Sequence, residues 1–175
     1  MPVTPARGMT SFTASAIELK WLRQLHQDLL KSLQQSESDN DSVKLDMNND
    51  GLRVTVFDRN KKPIFEPEST KFTEYGAWVF STLAWQVARY RSFNVELEGH
   101  TEKGHAAIKQ EYGAWELSAD RANAARRKFL LHGVLGEQVK KVAGYADTQP
   151  LQNTKPEDEM NNRVTVLLRV SSTAN

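Results

Sequence analysis

The sequence predicts an α+β fold, an α/β sandwich in which a sheet is covered by helices. The first observation behind this is periodicity. From Leu52 onward, runs in which every second residue is apolar alternate with stretches whose apolar residues recur every three or four positions. Their order is strand, helix, strand, helix, strand, strand, which places helices against a sheet. The second observation is composition: 39% hydrophobic and 26% charged residues supply apolar material for one core. The third is length, since 175 residues make one ordinary domain with an appendage.

Residues 1–14, with Pro2, Pro5 and Gly8, read as a flexible leader. Ser15 and Glu18 fit a capping box, and behind them Leu22, Leu25, Leu29 and Leu33 form one apolar stripe. An amphipathic helix is therefore expected over 15–35, docked on the domain or paired with a second copy of itself. A polar hinge, SESDNDS, occupies 36–42, the main domain 43–171 and a tail 172–175. Val43, Leu45 and Met47 alternate, as do Leu52, Val54 and Val56, around Asn48-Asn49-Asp50-Gly51, which predicts a hairpin. Pro63 and Pro67 mark a turn-rich stretch over 58–68, and a helix is expected over 73–90. Phe93, Val95 and Leu97 predict a strand that ends at Gly99-His100. A second helix spans 115–131 and stops at His132-Gly133, where glycine accepts the left-handed cap. A short strand over 139–143, a loop with Gly144, Pro150 and Pro156, and a last strand from Val164 to Val170 complete the order.

Several function classes are excluded. With 23 Lys and Arg against 22 Asp and Glu, the formal net charge is +1, so neither a basic nucleic-acid coat nor an acidic tail is present. The cations Arg121, Arg126, Arg127, Lys128, Lys140 and Lys141 are diluted by Glu111, Glu116 and Asp120, and no nucleic-acid partner is expected. There are no cysteines, hence no disulfides and no thiolate chemistry. His100 and His105 flank Glu102, but the run crosses a strand end into a glycine loop and lacks metal-ligand spacing. His26 and His132 read as a helix-surface and a helix-end residue. No nucleophile elbow, Walker loop or dinucleotide fingerprint occurs, so no enzyme, metal or cofactor is expected. The longest mostly apolar stretch, Val79–Ala88, is shorter than the roughly 20 residues of a membrane span, and MPVTPARGMTSFTASA lacks the apolar run of a signal peptide. Arg121, read from the bare sequence, is expected to pair with the nearby Glu116 or Asp120 as surface helix arginines often do.

Four segments carry a resemblance: VELEGHTEKG (95–104), YGAWELSADRANAARR (112–127), VAGYADTQP (142–150) and NNRVTVLL (161–168). Together they resemble the OmpA-like peptidoglycan-binding domain, in the version found in MotB-type flagellar stator proteins, of lateral-flagellar type. The likeness extends upstream through ELKWLRQL and DGLRVTVFDRNKKPIF and covers roughly residues 15 to 170. It implies a β-α-β-α-β-β core with a mixed sheet, to which the Val43–Met47 strand and the first helix are additions.

The resemblance also implies a non-enzymatic, non-covalent grip on the diaminopimelate residue of the wall's stem peptide. The free end of that residue is a zwitterion, which needs a cation for its carboxylate and an anion for its ammonium. Arginine meets a carboxylate through two parallel hydrogen bonds. The family's arginine falls on Arg121 in Leu117-Ser118-Ala119-Asp120-Arg121-Ala122, and its aspartate on Glu102. Leu117 shares the helix face of Arg121, and Thr101, Asn161 and Arg163 fall at other positions associated with the pocket. Three residues depart from the family: Glu102 for aspartate, Ala114 for asparagine, and Asn162 for the first of two arginines. Each departure weakens binding by roughly 1–3 kcal/mol if the lost group had a buried partner. The expected role is to anchor a flagellar motor stator to peptidoglycan; the alternative is a stator remnant or interaction domain that has lost wall binding. The expected partners are peptidoglycan, a second copy in a homodimer and, in a full-length protein, a MotA-type channel subunit. The family places the domain in the periplasm, as part of an inner-membrane protein. Without a spanning helix, the chain is expected to be an excised domain or a truncated gene product.

Overall fold

The computed structural model describes residues 4–33, 42–48, 50–59, 61–104 and 109–170, with side chains in the first helix from Ala16 onward. The elements are α1 (Thr4–Leu33), β1 (Val43–Asn48), β2 (Gly51–Phe57), α2 (Glu74–Val87), β3 (Phe93–His100), α3 (Ala114–Leu131), β4 (Val139–Gly144) and β5 (Arg163–Val170). From β2 onward they follow the predicted order. The strands form one five-stranded sheet in the order β1-β2-β5-β3-β4. It is mixed: β1–β2, β2–β5 and β3–β5 pair antiparallel, and β3–β4 pair parallel.

Alternation sorts the sheet into two faces. Leu52, Val54, Val56, Phe93, Val95, Leu97, Val164, Val166, Leu168 and Val170 join the helix residues in one core. On the other face, Glu96 and Glu98 pair with Arg169 and Lys141. α2 contributes Val79, Phe80, Leu83 and Val87 to the core, and Thr73 caps it by accepting from the Gly76 N–H at 3.0 Å. α3 contributes Ala122, Ala125 and Phe129 and stops at Gly133, whose φ of 102° is the expected left-handed cap.

Two expectations about the N-terminal region change. The helix begins at Thr4 rather than Ser15, so Ser15 and Glu18 lie inside it and do not cap its start. Pro5 does not prevent this, because the first-turn N–H groups of a helix lack internal partners and a proline there removes nothing. Leu22, Leu25, Leu29 and Leu33 are at most 5% exposed, and all pack into this chain's own core. Docking, not self-pairing, therefore consumes the stripe. Asp28 meets Arg89 at 3.6 Å and Ser32 accepts from Gln86 at 3.2 Å, so α1 runs opposite to α2. Most of the expected hinge, like the tail, lies outside the described residues, but Ser42 is buried and contacts the Tyr75 hydroxyl.

Candidate functional site

The ends of four strands meet at one end of the sheet. Phe57 at the end of β2 and His100 at the end of β3 both sit opposite Arg163 at the start of β5, and Gly99 sits beside Gly144 at the end of β4. α3 lies almost on the backbone here. A Cβ on Gly99 would stand 2.0 Å from the Ser118 carbonyl oxygen, and one on Gly144 would stand 2.4 Å from the Ala119 nitrogen. Glycine at both positions lets the helix approach, and that approach places Leu117 and Arg121 above the strand ends. Ser118 locks the contact: its Oγ donates to the Trp115 carbonyl and accepts from the Ala146 N–H, each at 3.0 Å.

Arg121 is 8% exposed. Its Nε donates to the Ser69 carbonyl at 2.9 Å, Nη2 reaches the Glu66 carbonyl at 3.4 Å, and the guanidinium lies 5.0 Å from the centre of the Phe65 ring. Nη1 bonds to none of the described residues. The pairing with Glu116 or Asp120 does not occur. The Glu116 carboxylate accepts from the Gly113 N–H at 3.0 Å, and Asp120 accepts from the Tyr112 hydroxyl at 2.6 Å. The two carboxylates are held by their own helix start, whereas Arg121 faces the loop between β2 and α2.

Asp58, just past β2, is the residue that sequence reasoning missed. Its Oδ1 accepts from the Ile64 N–H at 2.9 Å. Its other oxygen has no hydrogen-bond partner among the described residues. Burial lifts its pKa from the ordinary 3.8 to about 6, against the Ile64 N–H and the nearby Arg121 charge, while Glu159 and Glu102 add repulsion. Burial in turn lowers Arg121, and Asp58 opposes that. The sequence carried one signal for Asp58: an acid directly after an alternating run, at the same sheet end as Gly99-His100-Thr101.

Thr101 is 2% exposed; its N–H donates to the Ala146 carbonyl at 2.8 Å, and its hydroxyl has no partner among the described residues. Glu102 is half-buried, and its N–H donates to Asn162 Oδ1 at 2.9 Å. That bond accounts for one departure from the family pattern, because an arginine at 162 has no acceptor to offer. Leu117 is fully buried on the face of α3 that carries Arg121.

Asn161 and Arg163 sit differently. Asn161 clasps the preceding loop: Oδ1 accepts from the Leu151 N–H at 2.7 Å, and Nδ2 donates to Thr154 Oγ1 at 3.1 Å and the Lys155 carbonyl at 2.9 Å. Arg163 belongs to the sheet face away from the helices and donates to the Gln149 carbonyl at 2.7 Å. The structure thus gathers Thr101, Glu102, Leu117 and Arg121, with Asp58, at the helix-covered side of the sheet end. Asn161 and Arg163 stand on its far side. His100, also facing away, stacks on Tyr145 at 5.3 Å, and burial with the Arg163 and Arg53 charges lowers its pKa to about 3. It is a neutral imidazole. His105 lies outside the described residues, and no cluster of three or more metal-ligating side chains occurs among the described ones. No described helix is long and apolar enough to cross a membrane.

Comparison with known proteins points the same way as the fold. Residues 64–163 match the OmpA family. Motility protein B of Escherichia coli K12 is 33% identical over 127 residues, 72% of this chain and 41% of its own length. A MotB-like protein from Desulfovibrio vulgaris superposes with a TM-score of 0.72 at 19% identity, covering 89% of this chain and 98% of that one. The cell wall anchor of the type VI secretion system from Pseudomonas aeruginosa superposes with a TM-score of 0.64 at 20% identity, covering 81% and 96%. The chain spans less than half the length of the curated motility protein it matches.

Proposed function

The chain belongs to the OmpA family, and from that premise we propose that it binds peptidoglycan non-covalently through the diaminopimelate end of a stem peptide. The observation that carries the reading is that the charges of Arg121 and Asp58 act on each other at one end of the sheet, with no ion pair between them. Arg121 keeps Nη1 uncommitted while its other nitrogens are fixed by backbone carbonyls. Beside it, Asp58 keeps one carboxylate oxygen uncommitted. A held cation next to a held anion matches a zwitterion, whose carboxylate would take Arg121 and whose ammonium would take Asp58 together with Glu102. Thr101 and Leu117 would line the pocket. Asn161 and Arg163 would support it from the far side of the sheet by fixing the loop over 149–155.

The domain is a binding module with no enzymatic role, in keeping with its relatives. Likeness to Motility protein B, to the periplasmic domain of MotB and to a secretion-system cell wall anchor supports a place in the periplasm, where the domain would hold a motility stator to the wall. As part of a longer protein, it would act with a MotA-type channel subunit and as a homodimer.

Co-sedimentation with purified sacculi tests this. The wild-type chain should pellet with the wall, and Arg121→Ala should reduce the bound fraction at least tenfold. Because Arg121 also holds Ser69 and Glu66, Arg121→Lys with an unchanged circular dichroism melt separates ligand loss from misfolding. Wild type that stays in the supernatant would favour the remnant reading, and dye release from labelled sacculi would contradict a purely binding role.

A further inference from the structure

The sheet face turned away from the helices holds a cavity of about 330 Å³, across the sheet from the Arg121 pocket. Register builds its floor. Across the strands, Lys44 sits opposite Thr55 and Thr55 opposite Thr165; one step along, Phe57 sits opposite Arg163, and one step the other way Asp46 sits opposite Arg53. The loop over 151–154, clasped by Asn161, and Met160 complete the lining.

Charge is one-sided. The lining includes Lys44, Arg53 and Arg163 but a single acid, Asp46, which lies 3.8 Å from Lys44 at the exposed edge. No carboxylate among the described residues lies within ion-pairing distance of Arg53 or Arg163. Glu98, the nearest acid on β3, is engaged by Lys141 at 3.8 Å. Arg163 is 8% exposed, and its Nε is buried without a partner. A buried guanidinium normally has a carboxylate against it, since burial of an unpaired charge is costly. Here the facing charge in the cavity is another guanidinium: burial first, and then Arg53, bring Arg163 down to about 10, against the more distant charge of Glu98. Thr55 and Thr165 add hydroxyl donors, and Phe57, Leu151 and Met160 add apolar wall.

We propose that this cavity is a second ligand site, for a small organic oxyanion whose carboxylate or phosphate head meets Arg163 and Arg53 and whose apolar part rests on Phe57, Leu151 and Met160. It opens on the opposite face of the sheet from the Arg121 pocket, and shares with it only the Arg163 side chain and the loop that Arg163 and Asn161 hold. Two sources share that head-group chemistry: a peptide-type carboxylate and a phosphate monoester.

The test is amide chemical-shift titration of the full chain with N-acetylalanine and, separately, phenyl phosphate. At least one should give saturable shifts at Thr55, Phe57, Leu151 and Thr165 below about 10 mM, and which one saturates identifies the source. Arg53→Gln, at an exposed position, should weaken that binding at least fivefold, and Arg163→Gln should weaken it further if it folds. Arg121→Ala should leave it unchanged. The proposal is overturned if neither probe saturates, if the shifts map elsewhere, or if Arg53→Gln binds as wild type does.

Discussion

At the residue scale, the informative side chain is Asp58. Its folded pKa is raised, so the folded state holds its proton more tightly than the unfolded chain does. The stability this supplies is fully present below pH 3.8 and is lost as pH rises through about 6. At neutral pH the ionised carboxylate is therefore a cost, on the order of 1–3 kcal/mol. Asn keeps the acceptor for the Ile64 N–H and removes the charge. Asp58→Asn should raise the melting temperature at pH 7 and at the same time lower retention on sacculi. A variant that loses both stability and retention would show that Asp58 serves the fold alone. Arg121 and Asp58 also show where sequence reading stops. The Leu-Ser-x-x-Arg-Ala segment located Arg121, but its partners come from residues 58–69, more than fifty positions away. Nearness along the chain alone pointed to Glu116 and Asp120. Both carboxylates are occupied by Gly113 and Tyr112 at the helix start, which the chain order does not reveal.

At the element scale, α3 owes its position to two small residues. Gly99→Ala places a methyl group against the Ser118 carbonyl, a backbone atom that no rotamer change can move. The helix start must then shift and carry Leu117 and Arg121 with it. Overpacking of this kind costs about 1–3 kcal/mol. Gly99→Ala should show that loss in urea denaturation together with reduced sacculus binding, while Gly136→Ala, where a Cβ meets nothing within 4 Å, should behave as wild type. The elements themselves were legible, because strand and helix periods are local: β2, α2, β3, α3, β4 and β5 appear where alternation and three-to-four spacing put them. α1 was legible as a leucine stripe but not in its length, since a capping box can also occur within a helix. Nor does a stripe say what covers it, and only the packed structure assigns those leucines to α2 and the sheet.

At the scale of the whole molecule, two buried titratable groups set opposing responses to acid. His100 has a depressed folded pKa, so the stability it supplies is present above 6.5 and is lost as pH falls toward about 3. Asp58 acts in the reverse sense over pH 3.8 to about 6. His100→Phe keeps a ring against Tyr145 and removes the titration. Its melting temperature relative to wild type should therefore improve steadily as pH drops from 6.5 to 4, and a pH-independent difference would show that the imidazole is not held neutral. The overall sandwich was readable from element order, but the position of β5 was not. The last strand inserts between β2 and β3, a choice settled by long-range pairing.

That insertion has a mechanical consequence. β5 is bonded on both sides, to β2 over Gly51–Phe57 and to β3 over Phe93–His100, and the candidate site residues sit at the ends of these same strands. A load taken up at that end runs along the strand axes, while the rungs between strands lie across them. The rungs are then loaded together in shear and not peeled one after another. A tether gripping the wall there would need to break many bonds at once to unravel.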